Sequence, residues 1–77
     1  MGSEKLASIT SKELIKALRK IGFEQQHQKG SHLTLKRMSD KRRVVIPIHP
    51  GKAIKFGTLK GIIDDVGISK EELNKLL

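Results

Sequence analysis

Three histidines, His27, His32 and His49, are the side chains of this sequence best suited to moving protons near neutral pH. They lie in or beside residues 29–60, a stretch with nine basic residues (Lys29, Lys36, Arg37, Lys41, Arg42, Arg43, Lys52, Lys55 and Lys60) and one acid, Asp40. With a single acid in that stretch, two-carboxylate hydrolysis is excluded there. No cysteine is present, which removes thiolate catalysis, disulfides and cysteine-based zinc sites. Few histidines amid excess positive charge make a poor metal set, so no metal is expected. Ser31 beside His32 is not a triad: neighbours on a strand point to opposite faces, and no acid is at hand to orient the ring. Gly30 alone does not make a phosphate-cradling loop.

What remains open is chemistry on a polyanion that carries its own nucleophile. RNA does so in its 2′-OH. A histidine can remove that proton or protonate the leaving 5′-oxygen, while Lys and Arg neutralise charge on the phosphate. One such group gives roughly 10²–10⁴-fold, so a single-histidine enzyme would be slow. The competing reading of each histidine is a surface residue with no chemistry.

The elements that must position these residues are legible in part. Thr10 and Glu13 form a capping box. Leu14, Ile15, Leu18 and Ile21 follow as one apolar stripe, and Gly22 reads as a left-handed helix cap with Phe23 packing back. Residues 23–28 are polar and give a weak strand signal. Lys29, Gly30 and Ser31 read as a turn. In 32–37, Leu33 and Leu35 alternate with His32, Thr34 and Lys36. After a turn at 38–41 comes the clearest strand, 42–48, with Val44, Ile46 and Ile48 on one face and Arg43, Val45 and Pro47 on the other. Pro47 cannot donate to a ladder, so it marks an edge or a strand end. Beyond Pro50 and Gly51 lies a connection of about ten residues. A helix opening at Gly57 or Thr58 then carries Leu59, Ile62, Ile63 and Val66, and stops at Gly67. Ser69 and Glu72 form a second capping box before Leu73, Leu76 and Leu77.

The fold class is therefore α+β: helix, three antiparallel strands, helix, short helix. There is helix enough to cover one sheet face, and the other faces solvent. By parity His32, Thr34, Lys36 and Arg43 stand on that open face. The chain has 77 residues, one domain's length. Residues 10–77 read as that domain and 1–9 as a tail, with Met1, Gly2 and Ser3 set aside as a cloning remnant. At this size roughly 60% of the unfolded surface is buried, so the core is thin. The net charge of +8 lies entirely in residues 29–60: the rest holds seven bases and seven acids. Such a concentration suits a polyanion, against the plainer reading of a solvated basic surface. Two phenylalanines are the only aromatics, too few for a base-stacking platform. No apolar run approaches the ~20 residues that span a bilayer, and no secretory signal is visible, so a cytoplasmic location is expected.

Several short runs resemble the HicA toxin family, also called YcfA-like. They are Lys29-Gly30-Ser31-His32 after Gly22-Phe23, Val45-Ile46-Pro47-Ile48-His49-Pro50, Phe56-Gly57-Thr58-Leu59-Lys60, and Val66-Gly67-Ile68-Ser69. Each is weak alone; their shared order over about 11–73 is specific. The resemblance implies a double-stranded-RNA-binding-domain-like fold with helices on one sheet face. It implies a ribonuclease that cuts mRNA, held in check by a HicB antitoxin over the active face. It carries the catalytic role onto His32. Many members have a second histidine where this chain has Leu33, which reads here as core. His49 matches a recurrent histidine of no assigned role.

The expected site is His32 as general acid or base, with Lys29, Gly30, Ser31, Lys36, Arg42 and Arg43 contacting RNA, without cofactor or metal. The hairpin register stays open. A two-residue turn at Lys29 and Gly30 sets His27 opposite His32 as a base–acid pair. A three-residue loop, preferred for aligning Phe23 with Leu35, moves His27 away. Two other functions compete: a non-catalytic double-stranded RNA-binding module, which needs bases but no histidine, and a protein-binding domain whose basic face docks an acidic surface.

Overall fold

The structure is a computed structural model that describes residues 8–77; the expected remnant at Met1, Gly2 and Ser3 lies outside them. Six elements follow in order: α1 (Ser11–Arg19), β1 (Phe23–Lys29), β2 (His32–Arg37), β3 (Arg42–Pro47), α2 (Phe56–Val66) and α3 (Lys70–Leu76). The strands form one antiparallel sheet in the order β1-β2-β3. This is the helix, three-stranded sheet, helix, short helix order expected.

Both capping boxes are present. The Glu13 amide donates to Thr10 Oγ1 at 3.2 Å and the Thr10 amide to Glu13 Oε1 at 3.0 Å. Ser69 and Glu72 repeat the exchange at 3.1 Å in each direction. The end of α1 differs from expectation. The amides of Lys20, Ile21 and Gly22 donate to carbonyls three residues back, those of Ala17, Leu18 and Arg19. That tightened winding ends the α-helix at Arg19, and Gly22 serves the turn beyond it rather than the cap. The inner stripe of α1 is Leu14, Ala17 and Leu18, with Ile15 and Ile21 half-buried at its margin.

Leu33, Leu35, Val44 and Ile46 project from the inner sheet face into the core. They meet α1 and Leu59, Ile62, Ile63 and Val66 of α2, with Leu73 of α3 fully buried beside them. Each such burial is worth ~1.5–3 kcal/mol. Ile9 is also fully buried, so packing begins inside the segment read as tail. Its carbonyl accepts from the Ile54 amide at 2.8 Å, and Thr10 bridges Ala53. The connection after β3 is thereby tied to the entrance of α1.

The first hairpin takes neither expected register. Lys29 pairs with His32 across a two-residue turn of Gly30 and Ser31, and Phe23 pairs with Arg37 rather than Leu35. Gly30 has φ +58°, and Ser31 is not in the left-handed region, the pattern of a type II′ turn. A bulge at Gln26 absorbs the odd residue. It lets Phe23, before the bulge, face the core while His27 and Lys29, after it, share the open face with Thr34 and His32. α2 starts at Phe56, a turn-fraction earlier than expected, with Lys55 as a cap that makes no side-chain hydrogen bond.

Candidate nucleic-acid interface

Directly paired residues share a sheet face, so the pairing gives the open face row by row. Lys29, His32 and Pro47 form one row. His27, Thr34 and Val45 form the next, and Glu24, Lys36 and Arg43 the third. The expected placement of His32, Thr34, Lys36 and Arg43 on one uncovered face is found. Lys29 joins them through the bulge, a shift that no signal in the polar run 24–28 announces. Among the described residues no carboxylate forms an ion pair with Lys29, Lys36 or Arg43.

His32 is exposed at the first position of β2. Two features fix its backbone. Gly30 and Ser31 close the hairpin on one side, and the Ile48 amide donates to the Ser31 carbonyl at 2.6 Å on the other. Gly30 and Ser31 thus hold Lys29 and His32 side by side. Gln28 Nε2 donates to the Gly30 carbonyl at 3.0 Å, bracing it further.

Arg42 stands apart from the other expected contacts. Its partner in the ladder is Arg37, on the core-side parity. Its guanidinium donates to the Asp65 carbonyl at 3.1 Å, near the C-terminus of α2, and reaches Asp40 at 3.2 Å. Arg37 lies over the Phe23 ring at 4.7 Å and grips Asp40 with two bonds, 3.1 and 2.8 Å. The hydrogen bond from Arg37 pulls the Asp40 carboxyl down to about 2, aided by the Arg42 amide and the charges of both arginines, against some desolvation. Both arginines therefore brace the end of the sheet away from His32.

Beside His32 the sheet falls into an open cleft of about 590 Å³, lined by a sheet wall of His32, Val45 and Pro47 and by a second wall of His49, Lys52, Ala53, Ile54, Lys55 and Thr58 from the residues that follow β3. The second wall was missed in the sequence, where the stretch after Pro50 and Gly51 reads only as a connection. Backbone hydrogen bonds anchor it. The Lys52 amide donates to the His49 carbonyl at 3.1 Å, and Gly51 has φ +77°, which with Pro50 before it makes a type II turn. The first turn of α2 holds no acid and contributes Thr58 to the lining. Lys52 and Lys55 bring positive charge to the same cleft as His32. No three His, Asp or Glu side chains gather among the described residues. No helix there is long and apolar enough to cross a membrane.

A family model described as the HicA toxin of bacterial toxin-antitoxin systems matches residues 11–68, most of the chain and every element up to the start of α3. The chain belongs to the HicA toxin family. Among curated proteins no match was found. The HicA match takes in His32, the open face, and both walls of the cleft.

Proposed function

We propose that this HicA-family chain is a toxin ribonuclease that cuts RNA without a metal, using His32 as general acid or base. Lys29, Lys36 and Arg43 hold the phosphates, and Gly30 and Ser31 shape the turn that sets His32 beside Lys29. The observation that carries this reading is an exposed, backbone-fixed histidine paired with Lys29, on a sheet face that also carries Lys36 and Arg43, beside an open cleft. Arg42 is left out of the contact set because its guanidinium is engaged at the end of α2. The substrate in this reading is mRNA, and the partner is a HicB-like antitoxin seated on the open face. Family membership supports both, as does the match between a basic sheet face and a polyanion.

The test is a gel assay of long mRNA in EDTA with wild type and His32→Ala, both checked for folding by circular dichroism. The expected result is cleavage by wild type and a loss of ~10²-fold or more in the variant. Equal cutting by both overturns the role of His32. Intact RNA in both, with salt-sensitive binding, replaces the reading with a non-catalytic double-stranded RNA-binding module.

A further inference from the structure

The cleft beside His32 has a second imidazole that the single-histidine reading leaves idle. His49 is exposed and lines the same cleft as His32, two residues beyond Pro47, the cross-strand partner of His32. Its part in the turn is played by its carbonyl, which accepts from Lys52, a task any residue performs. The ring is thus not needed for the local fold. The turn it opens is anchored on its far side, since Ala53 and Ile54 immediately after it are bonded to Thr10 and Ile9. Lys52 and Lys55 line the same wall. Two histidines and two lysines therefore line one cavity, His32 from β2 and the others from the segment after β3, and the Ile48 amide ties that segment to the Ser31 carbonyl beside His32. His27, by contrast, shares the open face but does not line the cleft.

We propose that His49 is the proton-transfer partner of His32, and that the phosphodiester to be cut lies in this cleft between them. The proposal rests on the ribonuclease reading above and gives it a second catalytic residue. One histidine, neutral, takes the proton of the 2′-OH as the 2′-oxygen forms its bond to phosphorus. The other, protonated, gives its proton to the 5′-oxygen as the P–O5′ bond breaks. The products are a 2′,3′-cyclic phosphate and a 5′-hydroxyl, and charge and protons balance without a co-reactant. Lys52 and Lys55 neutralise the phosphate oxygens as negative charge builds.

The test uses the full chain and an RNA oligonucleotide carrying a site that wild type cuts. It is made in two forms, with the ordinary 5′-oxygen or with sulfur in its place. A thiolate leaves without a proton, so a variant lacking the acid regains rate on the sulfur form. His32→Ala and His49→Ala are each expected to slow the oxygen form by ~10²–10⁴-fold, and one of them to recover on sulfur to within about tenfold of wild type. His27→Ala is expected to cut both forms at the wild-type rate. A His49→Ala rate within about threefold of wild type, on an enzyme that His32→Ala inactivates, overturns this proposal alone. So does equal slowing of both forms by both variants. His49→Gln keeps a polar side chain in the turn; recovery of rate by that variant makes His49 a structural residue and also overturns the proposal. An inactive wild type overturns the ribonuclease reading and this inference together.

Discussion

Asp40 holds two arginines away from the open face, and its titration reports on that arrangement. Arg37 donates to both its oxygens, and the Arg42 amide and guanidinium reach it as well. The hydrogen bond from Arg37 is the main cause that lowers its carboxyl from an ordinary 3.8 to about 2. The sign follows by linkage. Between about pH 4 and 2 the unfolded chain binds more protons at this residue than the folded one, so stability falls as pH falls through that window. Below about 2 both states are protonated and the contribution is gone. Asp40→Asn is expected to flatten the pH dependence of urea unfolding in this window, while neutral-pH activity on RNA is kept. A carboxyl that NMR finds titrating near its ordinary value would refute the bidentate pairing.

At the scale of elements, the segment 49–55 depends on one backbone conformation. Gly51 has φ +77°, a region where a β-branched residue is a strong outlier. Gly51→Val is expected to cost about 1–2 kcal/mol in chemical unfolding. It should also lower RNA cleavage by more than the unfolded fraction explains, because His49 and Lys52 flank the turn. Unchanged stability would show that the turn takes another form in solution.

The elements also show what the sequence made legible. α1 and α3 begin at Thr10 and Ser69 because each has its capping partner three residues on. The inner faces of β2 and β3 follow from the alternation of Leu33, Leu35, Val44 and Ile46. The hairpin register did not follow. The run 24–28 has no apolar alternation, so nothing local marks Gln26 as a bulge; burial of Phe23 beneath Arg37 decides it. The start of α2 was obscured because Lys55 caps without a side-chain bond. The second wall of the cleft was invisible for a different reason. It is placed by contacts between Ile9 or Thr10 and residues more than forty positions away, which no local spacing encodes. His32 was legible because its position needs only strand parity. His49 was visible as a residue, but its place in the cleft was not.

At the scale of the whole molecule, the two layers divide the work by face. α1, α2 and α3 cover the apolar side of the sheet, while among the described residues bases outnumber the one acid, Glu24, on the other side and line the adjoining cleft. Five cations define that surface: Lys29, Lys36, Arg43, Lys52 and Lys55. Phosphate contacts release counterions, and for single-stranded nucleic acid log K falls by roughly 0.7 per contact for each log unit of salt. If all five engage, the slope for single-stranded RNA is about five times that, or −3.5. The measurement belongs on His32→Ala, so that binding is read without cleavage. Lys36→Ala or Arg43→Ala on that background is expected to flatten the slope by about 0.7 each. Lys16→Ala, an equal loss of charge on an exposed position of α1, should leave it nearly unchanged. Equal flattening by Lys16→Ala and Lys36→Ala would mean that RNA responds to net charge alone. Flattening by Lys16→Ala only would put it on the helical side. A slope that moves with Lys36 and Arg43 but not Lys16 places the polyanion on the open sheet, next to the cleft that His32 and His49 line.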